Sequence, residues 1–152
     1  MVGLFLSVFE KFMEMKAQNF PINQLLAKTT ELLKSEIPHY DWVGFYLLDS
    51  PNHVLVLGPF AGKPTEHTHI PVGKGICGQV AEHKQSMIVQ DVSMQSNYIA
   101  CSMDVQSEIV VPIVKNGIFV AEIDIDSHSY APFSKEDEYF LSAISEQLAE
   151  YF

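Results

Sequence analysis

The chain contains no arginine: all nine basic residues are lysines, set against nineteen Asp and Glu, for a net charge of −10. The absent guanidinium fork is the group best matched to phosphates and guanine edges. So acidic a surface also repels polyanions, so nucleic acid and anionic membranes are poor partners. Cysteine is equally scarce. Two in 152 residues cannot build the disulfide framework of a small secreted domain, and they read as a reduced, cytoplasmic thiol pair. No apolar run approaches membrane-spanning length. The apolar start Met1–Phe9 lacks a basic n-region and is cut short by Glu10 and Lys11. Its Phe5, Val8, Phe9 and Phe12 follow a helical period, so it reads as an amphipathic helix and not a signal peptide. With 47% hydrophobic and 18% charged residues, the chain reads as one globular domain over 1–152, large enough to bury a core.

What is present is ordered by period. Helical spacing predicts helices over about 4–18 and 22–36, the second with Leu25, Leu26, Leu32 and Leu33 on one stripe and Pro38 closing it. Strand-like runs follow at 42–48 and 54–60, then a short one at 67–71, a glycine-rich turn, a helix near 76–84 and a brief extended piece at 87–89. Residues 91–102 are polar and read as a loop carrying Cys101. Asn116-Gly117 between two apolar runs is the signature of a two-residue type I′ hairpin turn, making 108–114 and 118–126 antiparallel neighbours. Ser134-Lys135-Glu136-Asp137 reads as a capped start of a final helix over about 134–152. The sum is an α+β domain: an antiparallel sheet over about 41–128, flanked by helices.

Cys101 stands out because three carboxylates lie at spacings that could aim them at it. Glu108 follows seven residues later and opens an apolar run, while Asp124 and Asp126 interrupt the next one. The two aspartates share one face of the strand and Ile123 and Ile125 take the other. Acids on a core-like strand are costly unless they have partners. Cys77 opens a helix after glycines, where the helix dipole favours a thiolate, although a free cysteine is most often a small buried hydrophobe. Trp42 and Tyr46 share a strand face with Gly44 between them, as core aromatics or as a pocket wall suited to a methyl, a sulfur or a cation. Gly73-x-Gly75-x-x-Gly78 matches a dinucleotide fingerprint in letter only, since no βαβ unit and no acid some twenty residues on accompany it. It reads as a tight turn before a helix. Glu66, His67 and His69 suggest a metal, but no third ligand stands at a recognisable spacing, so solvated edge residues are the expectation.

Six segments in order carry a resemblance: Trp42-x-Gly44-Phe45-Tyr46, Leu57-Gly58-Pro59-Phe60-x-Gly62-Lys63, Gly75-Ile76-Cys77-Gly78, Ile99-Ala100-Cys101, Ser107-Glu108-Ile109-Val110 and Asp124-Ile125-Asp126-Ser127. Together they resemble GAF domains and, more narrowly, the free methionine-(R)-sulfoxide reductases, in register from about Asp41 to Phe133. The resemblance implies a six-stranded antiparallel sheet with helices on its faces and a small-molecule pocket on one side. It also implies roles. Cys101 falls on the catalytic cysteine, Glu108, Asp124 and Asp126 on the acids that hold the substrate's ammonium and sulfoxide oxygen, and Trp42 and Tyr46 on the aromatic wall around the methylsulfinyl group. Cys77 falls on a cysteine just before the pocket helix. One departure is clear: near His67, where many members carry a further cysteine, this chain has none.

The implied activity is reduction of free methionine sulfoxide through a sulfenic acid on Cys101. It is reset either by a disulfide with Cys77, for which the 91–102 loop must move, or directly by an external thiol. A thioredoxin-like or low-molecular-weight thiol would supply the electrons, with no bound cofactor and no metal, and the likeness allows a homodimer. Two rival readings use the same residues: a non-catalytic GAF module that senses a small ligand, and a thiol redox switch. The cysteine plus three acids is more than a passive pocket needs.

Overall fold

The computed structural model describes residues 1–95 and 104–152. Cys101, and with it the loop 96–103, lies outside the described residues.

The chain opens with two helices, α1 (Gly3–Lys16) and α2 (Ile22–Glu36). Each buries the stripe its period dictates: Val8 and Phe12 from α1, and Leu25, Leu26 and Leu33 from α2. Six strands follow: β1 (Trp42–Asp49), β2 (Val54–Ala61), β3 (His69–Pro71), β4 (Met87–Val89), β5 (Ser107–Lys115) and β6 (Ile118–Ser127). Helix α3 (Gly75–His83) connects β3 to β4, and α4 (Lys135–Ala149) closes the chain. The strands form one sheet in the order β3-β2-β1-β6-β5-β4, with every neighbouring pair antiparallel. Among the described residues no helix is long and apolar enough to cross a membrane.

Alternation divides the central strands between two cores. Val43, Phe45, Ile109, Val111, Ile123 and Ile125 pack with the apolar stripes of α1, α2 and α4. Trp42, Tyr46 and Val110 point the other way and pack with Ile76, Cys77 and Val80 of α3. The β5–β6 hairpin is closed by its turn, where Asn116 and Gly117 have φ of 52° and 79°, the two positive values a type I′ hairpin requires, and a bulge at Ile113/Val114 shifts the register by one residue beyond it. Helix α4 begins with a capping box in which Asp137 accepts from the Ser134 amide and hydroxyl at 2.8 and 3.0 Å. The other Asp137 oxygen contacts His39 Nε2 at 2.7 Å and accepts from the Tyr40 hydroxyl at 2.9 Å. One side chain thus locks α4 to the segment that leads into β1.

Two sequence expectations change. The third strand begins at His69, not at 67. The Thr65 hydroxyl accepts from the His67 amide at 3.1 Å and the Glu66 carbonyl from Thr68 at 3.0 Å, a local turn that competes with strand pairing. His67 and His69 therefore do not alternate on one strand face, and the histidine-based metal reading loses its geometry. Within the polar 91–102 loop, residues 92–94 form a 3₁₀ turn, capped by Asp91 accepting from the Ser93 amide at 3.0 Å.

Candidate active site

Antiparallel register turns a linear spacing into rows across the sheet. Trp42 on β1, Asp126 on β6 and Glu108 on β5 form one row. Gly44, Asp124 and Val110 form the next, and Tyr46, Glu122 and Pro112 the third. All these positions face α3. Four carboxyl groups from two adjacent strands therefore meet on one face, with Glu108 3% exposed and Glu122, Asp124 and Asp126 at 0%. No lysine is buried among the described residues; the exposed Lys74 is the one lysine in the described lining of the cavity beside these acids.

Helix α3 closes the face. Gly73 and Gly75 adopt φ of 92° and 63°, and a Cβ at Gly78 would stand 2.7 Å from the Pro71 carbonyl oxygen. Only glycines let the helix start this tightly against the end of β3. The turn places Cys77, the third residue of α3, over the acids. Its Sγ is 3.9 Å from Glu108 Oε2, and Sγ and one oxygen each of Glu108 and Asp124 all lie within 4.8 Å of one another. A small cavity of about 10 Å³, room for little more than a water molecule, is lined by Tyr46, His67, Lys74, Cys77, Glu108 and Asp124, among others. Trp42 and Asp126 stand in the neighbouring row, outside its described lining.

The aromatic walls are fixed by backbone carbonyls. The Tyr46 hydroxyl donates to His67 O at 2.8 Å and the Trp42 indole N–H to Lys63 O at 2.9 Å. The indole lies along its own strand over Gly44 and stacks on Phe60, with centroids 5.6 Å apart and planes 18° apart. A Cβ at residue 44 would come within 2.3 Å of the Trp42 ring. Gly44→Ala should therefore push the indole off its seat, costing about 1–3 kcal/mol of stability. Trp42 is the sole tryptophan, so an emission spectrum reads the displacement directly. Unchanged emission would mean the ring is not held as described.

Crowding sets the protonation. Burial, then the charges of Asp124 and Asp126, push the Glu108 carboxyl well above its ordinary range. Burial and the charge of Asp124 do the same to Glu122. Asp124 is raised by burial, opposed by its contacts with Glu108 and Cys77. Four such groups cannot all ionise in a dry site, so the cluster retains protons at neutral pH. In the unfolded chain the glutamates lose their protons near 4.5; in the folded protein they hold them to higher pH. The folded state then binds more protons and stability falls as pH rises beyond the ordinary carboxylate range. Glu122→Gln should flatten that decline and raise the melting temperature at pH 8. A steeper decline, or a lower melting temperature, would refute this assignment of protons.

Of the residues singled out from the sequence, the fold gathers Cys77, Glu108, Asp124, Asp126, Trp42 and Tyr46 on one face; Cys101 is outside the described residues. Sequence reading missed Glu122. The signal was available, because 122, 124 and 126 share a strand face by period two and Glu122 interrupts the apolar run 118–125 just as Asp124 does. It also missed His67, which contributes to the cavity wall and, through its carbonyl, anchors Tyr46.

The sequence pattern of the GAF domain matches residues 21–151. Over 123 residues the chain is 40% identical to the free methionine-R-sulfoxide reductase of Escherichia coli, covering 81% of this chain and 73% of that protein. It is 41% identical over 119 residues to GAF domain-containing protein A of Dictyostelium discoideum, covering 78% and 73% of the two chains. Among solved structures, the free methionine-R-sulfoxide reductase of Neisseria meningitidis in complex with its substrate superposes with a TM-score of 0.92 at 34% identity, covering 97% of this chain and 87% of that one.

Proposed function

Since the chain belongs to the GAF-domain family, in the branch of the free methionine-R-sulfoxide reductases, we propose that it reduces free L-methionine-(R)-sulfoxide to methionine. The observation that carries this reading is the buried acidic face of Glu108, Asp124 and Asp126 beside a small cavity, with the exposed Lys74 the one lysine of its described lining. A pocket so charged suits a small cation, and the ammonium group of a free amino acid is one. A methionine residue inside a polypeptide has no such group, which accounts for preference for the free amino acid. The first amides of α3, at Gly75 and Ile76, have no acceptor within the helix and suit the substrate carboxylate in a chain without arginine.

In the proposed reaction the Cys101 sulfur attacks the sulfoxide sulfur and the oxygen passes to the cysteine, leaving methionine and a sulfenic acid. A protonated carboxyl of the cluster, Glu108 foremost, donates to the sulfoxide oxygen as the S–O bond breaks and recovers its proton from the thiol. The sulfenic acid then condenses with the Cys77 thiol, forming a disulfide and releasing water. Two thiols of an external reductant, thioredoxin-like or of low molecular weight, reset the pair by exchange.

The test is a coupled assay with the separate R and S epimers of free methionine sulfoxide, beside a peptide containing the same sulfoxide. Turnover of the free R epimer alone is expected. Turnover of the peptide or of the S epimer at a similar rate would count against the reading, and no turnover would favour a ligand-sensing module.

A further inference from the structure

Glu122 is the acid that the proposed reaction does not use. It is fully buried on the face toward α3, and its described polar neighbours are other acids, Glu108 and Asp124, and the Cys77 thiol. Asp124 likewise meets Glu108 and Cys77, and the oxygens of both acids lack well-formed hydrogen bonds among the described residues. From these groups we infer that Cys77, Glu108, Asp124 and Glu122 form a site for a zinc ion, and that the ion excludes the sulfoxide substrate.

Donor type selects the metal. One sulfur and a few carboxylate oxygens suit Zn²⁺, which takes both in four-coordinate sites at about 2.3 and 2.0–2.2 Å. Calcium wants six to eight oxygens and magnesium keeps its waters, which a nest this buried does not provide. Spacing fits too. Three donor atoms within 4.8 Å of one another leave a central point less than about 1 Å beyond zinc bond lengths, a gap that small side-chain rotations close. Glu122, beside Asp124 on the same strand face, stands outside that group of three and has to turn toward it to supply the fourth donor. A divalent ion also answers the charge problem more fully than one ammonium group, since it neutralises two carboxylates at once. It would occupy Glu108 and Asp124, the acids proposed for the ammonium, and tie up the thiol proposed to resolve the sulfenic acid. Zinc binding stands apart from the proposed activity; only the exclusion of substrate rests on it.

The experiment titrates the reduced, metal-free full chain with Co²⁺ and then Zn²⁺. One equivalent of Co²⁺ should produce a thiolate-to-metal charge-transfer band in the near ultraviolet that Zn²⁺ abolishes. The band should survive in Cys101→Ser and vanish in Cys77→Ser. Glu122→Gln, which keeps the side-chain shape, should weaken Zn²⁺ binding roughly tenfold or more with the circular dichroism spectrum unchanged. No band, a band that persists in Cys77→Ser, or an unaltered affinity in Glu122→Gln would each overturn the site. In the reductase assay Zn²⁺ should raise the apparent KM without lowering kcat, and inhibition indifferent to substrate concentration would overturn the exclusion. A Cys77-dependent band in a chain without reductase activity would uphold the zinc site while the proposed function fails.

Discussion

Cys101→Ser is expected to abolish sulfoxide reduction, lowering kcat/KM by more than about 10⁴-fold, because a hydroxyl cannot replace the thiol as nucleophile or be oxidised to a sulfenic acid. The companion Cys77→Ser separates the two routes of reset. If Cys77 resolves the sulfenic acid, that variant completes one turnover, releasing about one methionine per chain, and then stalls with oxidised Cys101. Rapid-quench measurement of the first turnover, with mass analysis of the trapped cysteine, reads this out. Full multiple turnover by Cys77→Ser would assign the reset to the external thiol alone. Substantial turnover by Cys101→Ser would remove the proposed nucleophile altogether. The absence of a cysteine near His67 makes Cys77 the only internal candidate, and its thiol is buried against Glu108, so the disulfide requires Cys101 to approach it.

The second large effect is at Asp124, and it has opposite signs for stability and for function. Asp124 is fully buried in the middle row, between Gly44 and Val110, with its carboxyl raised by burial. In the empty protein its charge is a liability; in the complex it would face the substrate ammonium. Asp124→Asn keeps the shape and removes the charge. It should weaken substrate binding by about 10²–10³-fold, within the 2–5 kcal/mol that losing one partner of a buried charge pair costs. The same change should raise the melting temperature by about 2–4 °C, the shift made by about 1 kcal/mol in a domain of this size. Steady-state kinetics and thermal denaturation on one preparation test both. An unchanged KM would remove Asp124 from ammonium binding, and a large loss of stability would mean the carboxylate has a structural partner that offsets its burial.

Much of this fold is written locally. Asn116-Gly117 dictates the β5–β6 hairpin because both residues tolerate positive φ, but a bulge at Ile113/Val114 shifts the pairing by one residue and so sets Glu108 opposite Asp126, which no local pattern announces. The apolar stripes of α1 and α2 and the Ser134–Asp137 box set three helices to within three residues of their observed ends, the largest gap being the C-terminus of α4 at Ala149. His67 falls outside the strand because its backbone amide donates to the Thr65 hydroxyl, an interaction that a two-residue period does not report. The order β3-β2-β1-β6-β5-β4 places the first strand beside the last. That long-range pairing follows from no local pattern and is decided by the tertiary structure.

The site divides along the same line. Residue type and period, which need only the chain, are enough to put Asp124 and Asp126 on one face of β6 and to mark acids on a core strand as in need of a reason. They cannot say that α3 covers that face, that Trp42 lies over Gly44, or that Glu122 joins Glu108, Asp124 and Cys77 in a buried nest. Those relations arise between segments up to about eighty residues apart in sequence, where strand pairing and the glycine turn bring groups together and exclude water. Exclusion of water is what turns four ordinary carboxyl groups into a proton-holding, cation-seeking cluster, and it exists only in the folded chain.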